Sequence, residues 1–238
     1  MSQPPSSSSR GGGRGGGRGG RSGRGDRPAD SPEVALSKLL SFALRHGAEK
    51  LNLTMASDGY VDLDHLLAHP KFRQYTVTDI ERAVSANEKQ RFALAPASDP
   101  TSSRSGYRIK ANQGHSLSAV TDLALTPLTL DTVPPVVVHG TTKAAWRDIR
   151  ASRTVRIMSR LHVHCAKGLP GAGGVISGMR SASDVCIYFD VARAVADGMA
   201  WFESPNGVIL SAGFEGAIPA EYWSHVTDRA GNQLEFET

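Results

Sequence analysis

Apolar positions in the first third of the chain recur at helical spacing. Leu36, Leu39, Leu40 and Ala43 fall on one face. Ser31-Pro32-Glu33 supplies a cap, a first-turn proline and an acid near the positive helix end. Gly47 is the expected stop. On a helical wheel His46 lies at the edge of the apolar stripe and Arg45 points away from it, on the side of Lys38; neither is a core position. "DGYVDLDHLL" reads as a turn, a short extended piece and a second helix capped by Asp62. "TVTDIERAVSAN" is a third helix, capped by Thr76 or Thr78. "KQRFALA" and "GYRIKAN" alternate as strands around the polar loop "PASDPTSSRS". Three helices followed by a hairpin is the pattern of a winged helix, placed here over 33–116.

The pattern then changes. "SLSAVTDLALTPLTLDTVPP", about 117–133, reads as a linker with extended pieces. "VVVHGT" is a continuous β-branched run, the mark of a buried strand. "KAAWRDIRAS" is a short helix, "LHVHCA" and "SDVCIYFDV" are strands, and "ARAVADGMAWF" begins as a helix. "NGVILSAG" is a strand entered through an Asn-Gly turn. A second domain over 134–238, a mixed sheet with short helices, makes the fold class α+β.

Composition alters this picture at one end. Residues 1–32 form an Arg-Gly-rich tail; six arginines against two aspartates within it supply the whole formal net charge of +4. Such a segment has too little apolar surface to offset chain entropy and is expected to be disordered. It reads equally as an RNA-binding arm or as a solubilising tail, and its glycines speak against an amphipathic transit peptide. Two cysteines, Cys165 and Cys186, with no signal peptide and no apolar run near membrane-spanning length, fit a reduced intracellular setting, cytoplasmic or nuclear.

Several residues stand out chemically. Arg45-His46 closes a helix, where a cation cap is the plain reading. Arg91 alternates with Phe92 and Leu94 on a strand; it suits a solvated face or a bidentate phosphate contact. The glycine-rich "GLPGAGGVISGMR" lets backbone N–H groups approach an anion, but no Lys-Ser/Thr follows as in a Walker A loop. His139 ends a buried strand, and His162 and His164 share one side of theirs. A zinc site lacks the matching carboxylates or cysteines.

Taken together, "LSKLLSFALRHGA", "KQRFAL", "IKANQGHS", "VVVHGT", "RLHVHCA", "GVISGMR" and "ADGMAWFESPNGVIL" resemble the tRNA 2′-phosphotransferase family, over residues 34–225. The resemblance implies an N-terminal winged helix joined to a C-terminal ADP-ribosyltransferase-like domain. It implies an NAD-dependent transferase of tRNA splicing that removes the splice-junction 2′-phosphate from ligated tRNA by transferring it to NAD⁺. The products would be 2′-OH RNA, nicotinamide and ADP-ribose 1″,2″-cyclic phosphate, reached through an ADP-ribosylated RNA 2′-phosphate. The family's catalytic tetrad maps onto Arg45, His46, Arg91 and Arg180. Its NAD⁺ site maps onto His139, Gly140 and Thr141, with His162, His164, Ser177 and Gly178 nearby. The partners implied are 2′-phosphorylated RNA and NAD⁺, with no metal, no membrane and a monomeric chain. The chain departs from the family pattern at "RASRTVRIMSR" and at Cys165.

Two rival readings remain open. One is a non-catalytic nucleic-acid-binding module. The other is an ADP-ribosyltransferase that modifies terminal phosphates and stops after its first step.

Overall fold

A computed structural model describes residues 30–169, 171, 178–179 and 183–236. The expectations for Ser177, Arg180 and almost all of the Arg-Gly tail therefore lie outside the described residues.

Helix α1, Pro32–Phe42, starts as its sequence dictates: the Ser31 hydroxyl accepts the Val34 N–H, and proline occupies the first turn. Its end differs from expectation. The chain widens into a π turn over Ala43–Gly47, continues right-handed through Glu49–Leu51, and stops at Asn52 in the left-handed region. Gly47 is therefore not the left-handed cap. A Cβ there would lie 2.5 Å from Cε1 of Phe42, so glycine is needed to let the ring pack against the turn.

Strand β1 (Val61–Asp62) leads into α2 (Leu63–Ala68), capped by Asp62 through the His65 N–H. Helix α3 (Val77–Ser85) is capped by Thr76, with Asp79 reaching back to close a capping box. Strands β2 (Phe92–Pro96) and β3 (Tyr107–Ala111) pair antiparallel, and β1 joins on the far side of β3. The Asp64 carboxylate accepts the Arg104 and Ser105 N–H groups and so anchors the loop between them. One apolar cluster, including Leu40, Leu44, Leu63, Leu66, Phe72, Ile80 and Ile109, holds this region together.

A second cluster, centred on Trp201, Ile187, Ile209 and Ile218, organises the rest. Strands β4 (Thr126–Pro127), β9 (Phe202–Glu203), β10 (Ile209–Ser211) and β7 (Val163–Cys165) form one sheet in that order. Strands β12 (Trp223–Asp228), β8 (Val185–Phe189) and β5 (Val138–Thr141) form another, and β6 (Thr154–Arg156) pairs with β11 (Ala217–Pro219). Val138 and Ala166 exchange two backbone hydrogen bonds of 2.9 and 2.8 Å, which bring β5 alongside the end of β7. Helices α4 (Lys143–Ser152) and α5 (Val191–Ala196) follow β5 and β8.

The sheet is not mixed as expected: every described pairing is antiparallel. The β-branched run of β5 reported burial, which either strand direction provides. The architecture is α+β, with several small antiparallel sheets and few helices. Among the described residues no helix is long and apolar enough to cross a membrane.

Candidate active site

The two clusters meet along a polar seam. The strap from Asn112 to Ser116 leaves β3 with Asn112, Gln113, Gly114 and His115 all buried. Its bonds run to both sides. The Ser116 N–H donates to the Arg45 carbonyl at 3.0 Å, and the His115 carbonyl accepts the Leu161 N–H at 3.2 Å. Asn206, in the expected Asn-Gly turn, donates across the seam to the Lys89 carbonyl at 2.9 Å.

Arg45 projects from the π turn, an element often found where function demands an altered helix face. The wheel placed it outside the core, yet its Nε and Nη2 are buried without a hydrogen-bond partner among the described residues. An ideal α-helical wheel does not anticipate the π turn in which it sits. Gly114, at φ +89, offers its bare face to the arginine: a Cβ there would lie 3.5 Å from Cδ, Nε and Cζ. Burial, then the neighbouring Arg160 and Arg91, push the Arg45 guanidinium down to about 10. It still keeps its proton at neutral pH.

Arg91 stands just before β2. Its N–H donates to Asn87 Oδ1 and its carbonyl accepts the Asn112 N–H, while Asn112 Nδ2 holds the Gln90 carbonyl at 2.6 Å. The arginine is thus fixed at the backbone. Among the described residues neither Arg45 nor Arg91 has a carboxylate within ion-pair distance. His46 shares the π turn, and its Nδ1 lies 2.9 Å from the Ser116 hydroxyl. Burial, then Arg160 and Arg45, hold it below the ordinary histidine range.

The opposite wall is histidine-rich. His139 Nδ1 donates to the His164 carbonyl at 2.9 Å, and His164 Nδ1 donates to the His162 carbonyl at 2.9 Å. His164 Nε2 is buried without a partner among the described residues, and burial followed by Arg160 pushes the ring down to about 3. His162, lowered by burial, meets Phe202 edge-on. A Cβ on Gly140 would lie 2.2 Å from Met179 Cγ and 2.4 Å from the Ser183 hydroxyl. One on Gly178, at φ +108, would lie 2.5 Å from the Cys165 carbonyl. Residues 178–179 therefore lie directly over β5 and β7, and glycine is what permits that approach. Thr141 is buried, and its carbonyl takes the Asp184 N–H.

The fold thus gathers Arg45, His46 and Arg91 on one side of the seam. It gathers His139, Gly140, Thr141, His162, His164 and Gly178 on the other. Three further residues escaped the sequence reading. Arg160 acts electrostatically on Arg45, His46 and His164. His115 is 1% exposed, with neither ring nitrogen hydrogen-bonded among the described residues, and burial brings it to about 4. Ser116 contacts His46. All three stand inside motifs that carry the resemblance, but only the fold shows that they converge.

The chain resembles known proteins along most of its length. The family model described as "RNA 2'-phosphotransferase, Tpt1 / KptA family" matches residues 31–213. A Danio rerio protein named tRNA 2'-phosphotransferase 1 is 48% identical over 199 residues, covering 83% of this chain and 86% of that protein. The Homo sapiens protein of the same name is 47% identical over 205 residues, covering 85% and 79%. The Saccharomyces cerevisiae tRNA 2'-phosphotransferase is 39% identical over 198 residues, covering 81% and 82%. With matches of this extent running through both sides of the seam, the chain belongs to the RNA 2′-phosphotransferase family.

Proposed function

We propose that this chain removes an internal 2′-phosphate from RNA, as left at a tRNA splice junction, by transferring it to NAD⁺. One observation carries the reading: the Arg45 guanidinium sits beside Arg91 and Arg160, and its buried Nε and Nη2 have no hydrogen-bond partner among the described residues. Like charges held this close repel one another, and an incoming phosphate relieves that repulsion. The names of the relatives, tRNA 2'-phosphotransferases, give the same substrate. In this reading residues 33–116 act as a winged helix presenting RNA, and 134–238 as an ADP-ribosyltransferase-like domain.

The chemistry fits these residue types. A 2′-phosphate carries about 1.5 to 2 negative charges near neutral pH and needs no base to become a nucleophile. It needs placement, which Arg45, Arg91 and Arg180 give by bidentate contact. NAD⁺, when bound, supplies the electrophilic ribose carbon and the ribose hydroxyl that receive the phosphate. The histidine wall suits such a co-substrate. Burial keeps the His164 ring uncharged, so that ring adds no repulsion to a ribose cation, and its Nε2, without a partner among the described residues, can accept a hydrogen bond. The arginines stabilise charge on the phosphoryl oxygens as it develops. His46 delivers a proton to the departing RNA oxygen. Burial and then the arginines depress it in the free chain, and a bound phosphate dianion offsets the arginine field and raises it.

The test is incubation with NAD⁺ and a short RNA bearing one internal 2′-phosphate. Release of ADP-ribose cyclic phosphate with 2′-OH RNA is the expected result. A stable ADP-ribosylated RNA would show an enzyme that stops halfway, and no reaction would leave only a binding module.

A further inference from the structure

We propose that Ser116 is a positioning residue for His46. Its hydroxyl accepts the Nδ1 proton of the imidazole and donates its own to the Arg45 carbonyl, which makes Nε2 the nitrogen that exchanges a proton with the RNA. The inference rests on the proton-transfer role of His46 given above.

Three contacts carry it. The Ser116 hydroxyl lies 2.9 Å from His46 Nδ1 and 3.4 Å from the Arg45 carbonyl, and the Ser116 N–H holds that same carbonyl at 3.0 Å. A carbonyl has two lone pairs, so it can take both donors of one serine. A hydroxyl can point its proton only one way. If it pointed at Nδ1, it would stabilise a bare nitrogen and oppose the imidazolium. Pointed at the Arg45 carbonyl, it leaves a lone pair for Nδ1–H and supports both the charged ring and the tautomer with Nε2 bare.

The surroundings make that support necessary. The groups acting on His46 are Arg160, across the seam, and Arg45, beside it in the π turn; His115 faces it from the strap. The two arginines disfavour a protonated His46, and the buried His115 offers it no negative charge. Among the described residues Ser116 is the hydrogen-bond partner recorded for the His46 ring. The arrangement also ties the acid to the phosphate ligand: Arg45 and His46 adjoin in one turn, and one serine fixes the backbone of the first and the ring of the second.

The experiment uses the full chain with ¹⁵N-labelled histidine, as wild type, Ser116→Ala and Ser116→Thr. Serine N–H to carbonyl bonding survives in all three, so the strap keeps its anchor. In the wild type, neutral His46 is expected to carry its proton on Nδ1. Ser116→Ala should release that tautomer, lower the ring pKa and reduce kcat about tenfold, the effect of about 1.4 kcal/mol in the barrier. KM for 2′-phosphorylated RNA should stay within about twofold of the wild type. The alkaline limb of the kcat profile should move to lower pH, because a weaker imidazolium loses its proton sooner. Ser116→Thr should restore all of these.

A wild-type ring protonated on Nε2 overturns the proposal, as does an alanine variant with unchanged tautomer and kcat. A His46→Ala variant separates the two readings. Full activity there removes the proton-transfer role of His46, whereas the tautomer measurement reports on Ser116 regardless of turnover.

Discussion

Arg45 and His164 face each other across the seam as a pair of contrasting solutions. Both are withdrawn from solvent, and both leave nitrogen atoms without a hydrogen-bond partner among the described residues. Burial has opposite consequences for them. The guanidinium, pushed only to about 10, has no way to shed its charge at neutral pH. The imidazole, pushed to about 3, sheds it entirely. The π turn therefore keeps permanent positive charge in a poorly solvated place, whereas the buried ring opposite is neutral, its charge opposed by burial and by the nearby Arg160. An anion belongs with the first. A ligand that would be repelled by cations belongs with the second.

The sharpest way to break this contrast is to discharge the cationic side. Arg45→Met should lower kcat/KM by about 10³-fold or more, roughly 4 kcal/mol, because it deletes a preorganised phosphate contact. The same change should leave the melting temperature unaltered or slightly raised. It replaces a buried charge that has no ion-pair partner among the described residues by an apolar chain, which gains about 1 kcal/mol. Loss of activity together with loss of fold would show that Arg45 is structural instead.

The strap between the two sides predicts a pH dependence that the guanidinium does not share. His115 has a folded value of about 4, against about 6.5 when unfolded. The unfolded chain therefore binds the proton first, and stability falls as pH drops from 6.5 towards 4. Between pH 6.5 and 5 the loss from His115 alone is about 1.6 kcal/mol. Urea titrations at those two pH values should show it, and His115→Leu should flatten the slope. An unchanged slope in that variant would mean that the ring is hydrated or ion-paired in solution.

Much of this was legible in the sequence because short-range chemistry fixes it. Ser31, Asp62 and Thr76 cap their helices through side-chain oxygens placed at the first turn. The Asn-Gly turn at Asn206 forms as its residues require, with Gly207 at φ +74. What failed was long-range or subtle. A π turn differs from an α turn by one residue per hydrogen-bonded loop, and hydrophobic periodicity is too coarse to register it, so Arg45 was placed on the outside. Strand direction in β5 depended on β8, far along the chain. Arg160, His115 and Ser116 acquired meaning only when the strap brought them to the π turn.

Gly47 tests the mount on which the cationic side stands. Gly47→Ala puts a methyl 2.5 Å from the Phe42 ring, and swinging that exposed ring out of its rotamer costs about 0.5–1.5 kcal/mol. Phe42→Leu in the same chain should recover most of the loss, because it removes the colliding ring edge while keeping an apolar side chain. If Gly47→Ala is equally harmful with leucine at 42, the requirement lies in backbone conformation and not in the ring.

The smallest effect belongs to a cation that does have a partner. Lys167 Nζ meets Glu203 Oε1 at 2.5 Å, tying the end of β7 to β9, with both side chains about a third exposed. An ion pair of this exposure contributes about 0–1 kcal/mol, and salt screens it further. Lys167→Ala should therefore shift stability by less than about 1 kcal/mol, with the shift shrinking as ionic strength rises, and should leave kcat/KM near the wild-type value. Arg45→Met is expected to show the reverse profile, with large loss of turnover and no loss of stability. The comparison turns on pairing: Lys167 is neutralised within the chain and has little charge left to offer, whereas Arg45 keeps its charge for a ligand. A Lys167→Ala variant as inactive as Arg45→Met would break that distinction, because a paired cation would then matter as much as an unpaired one.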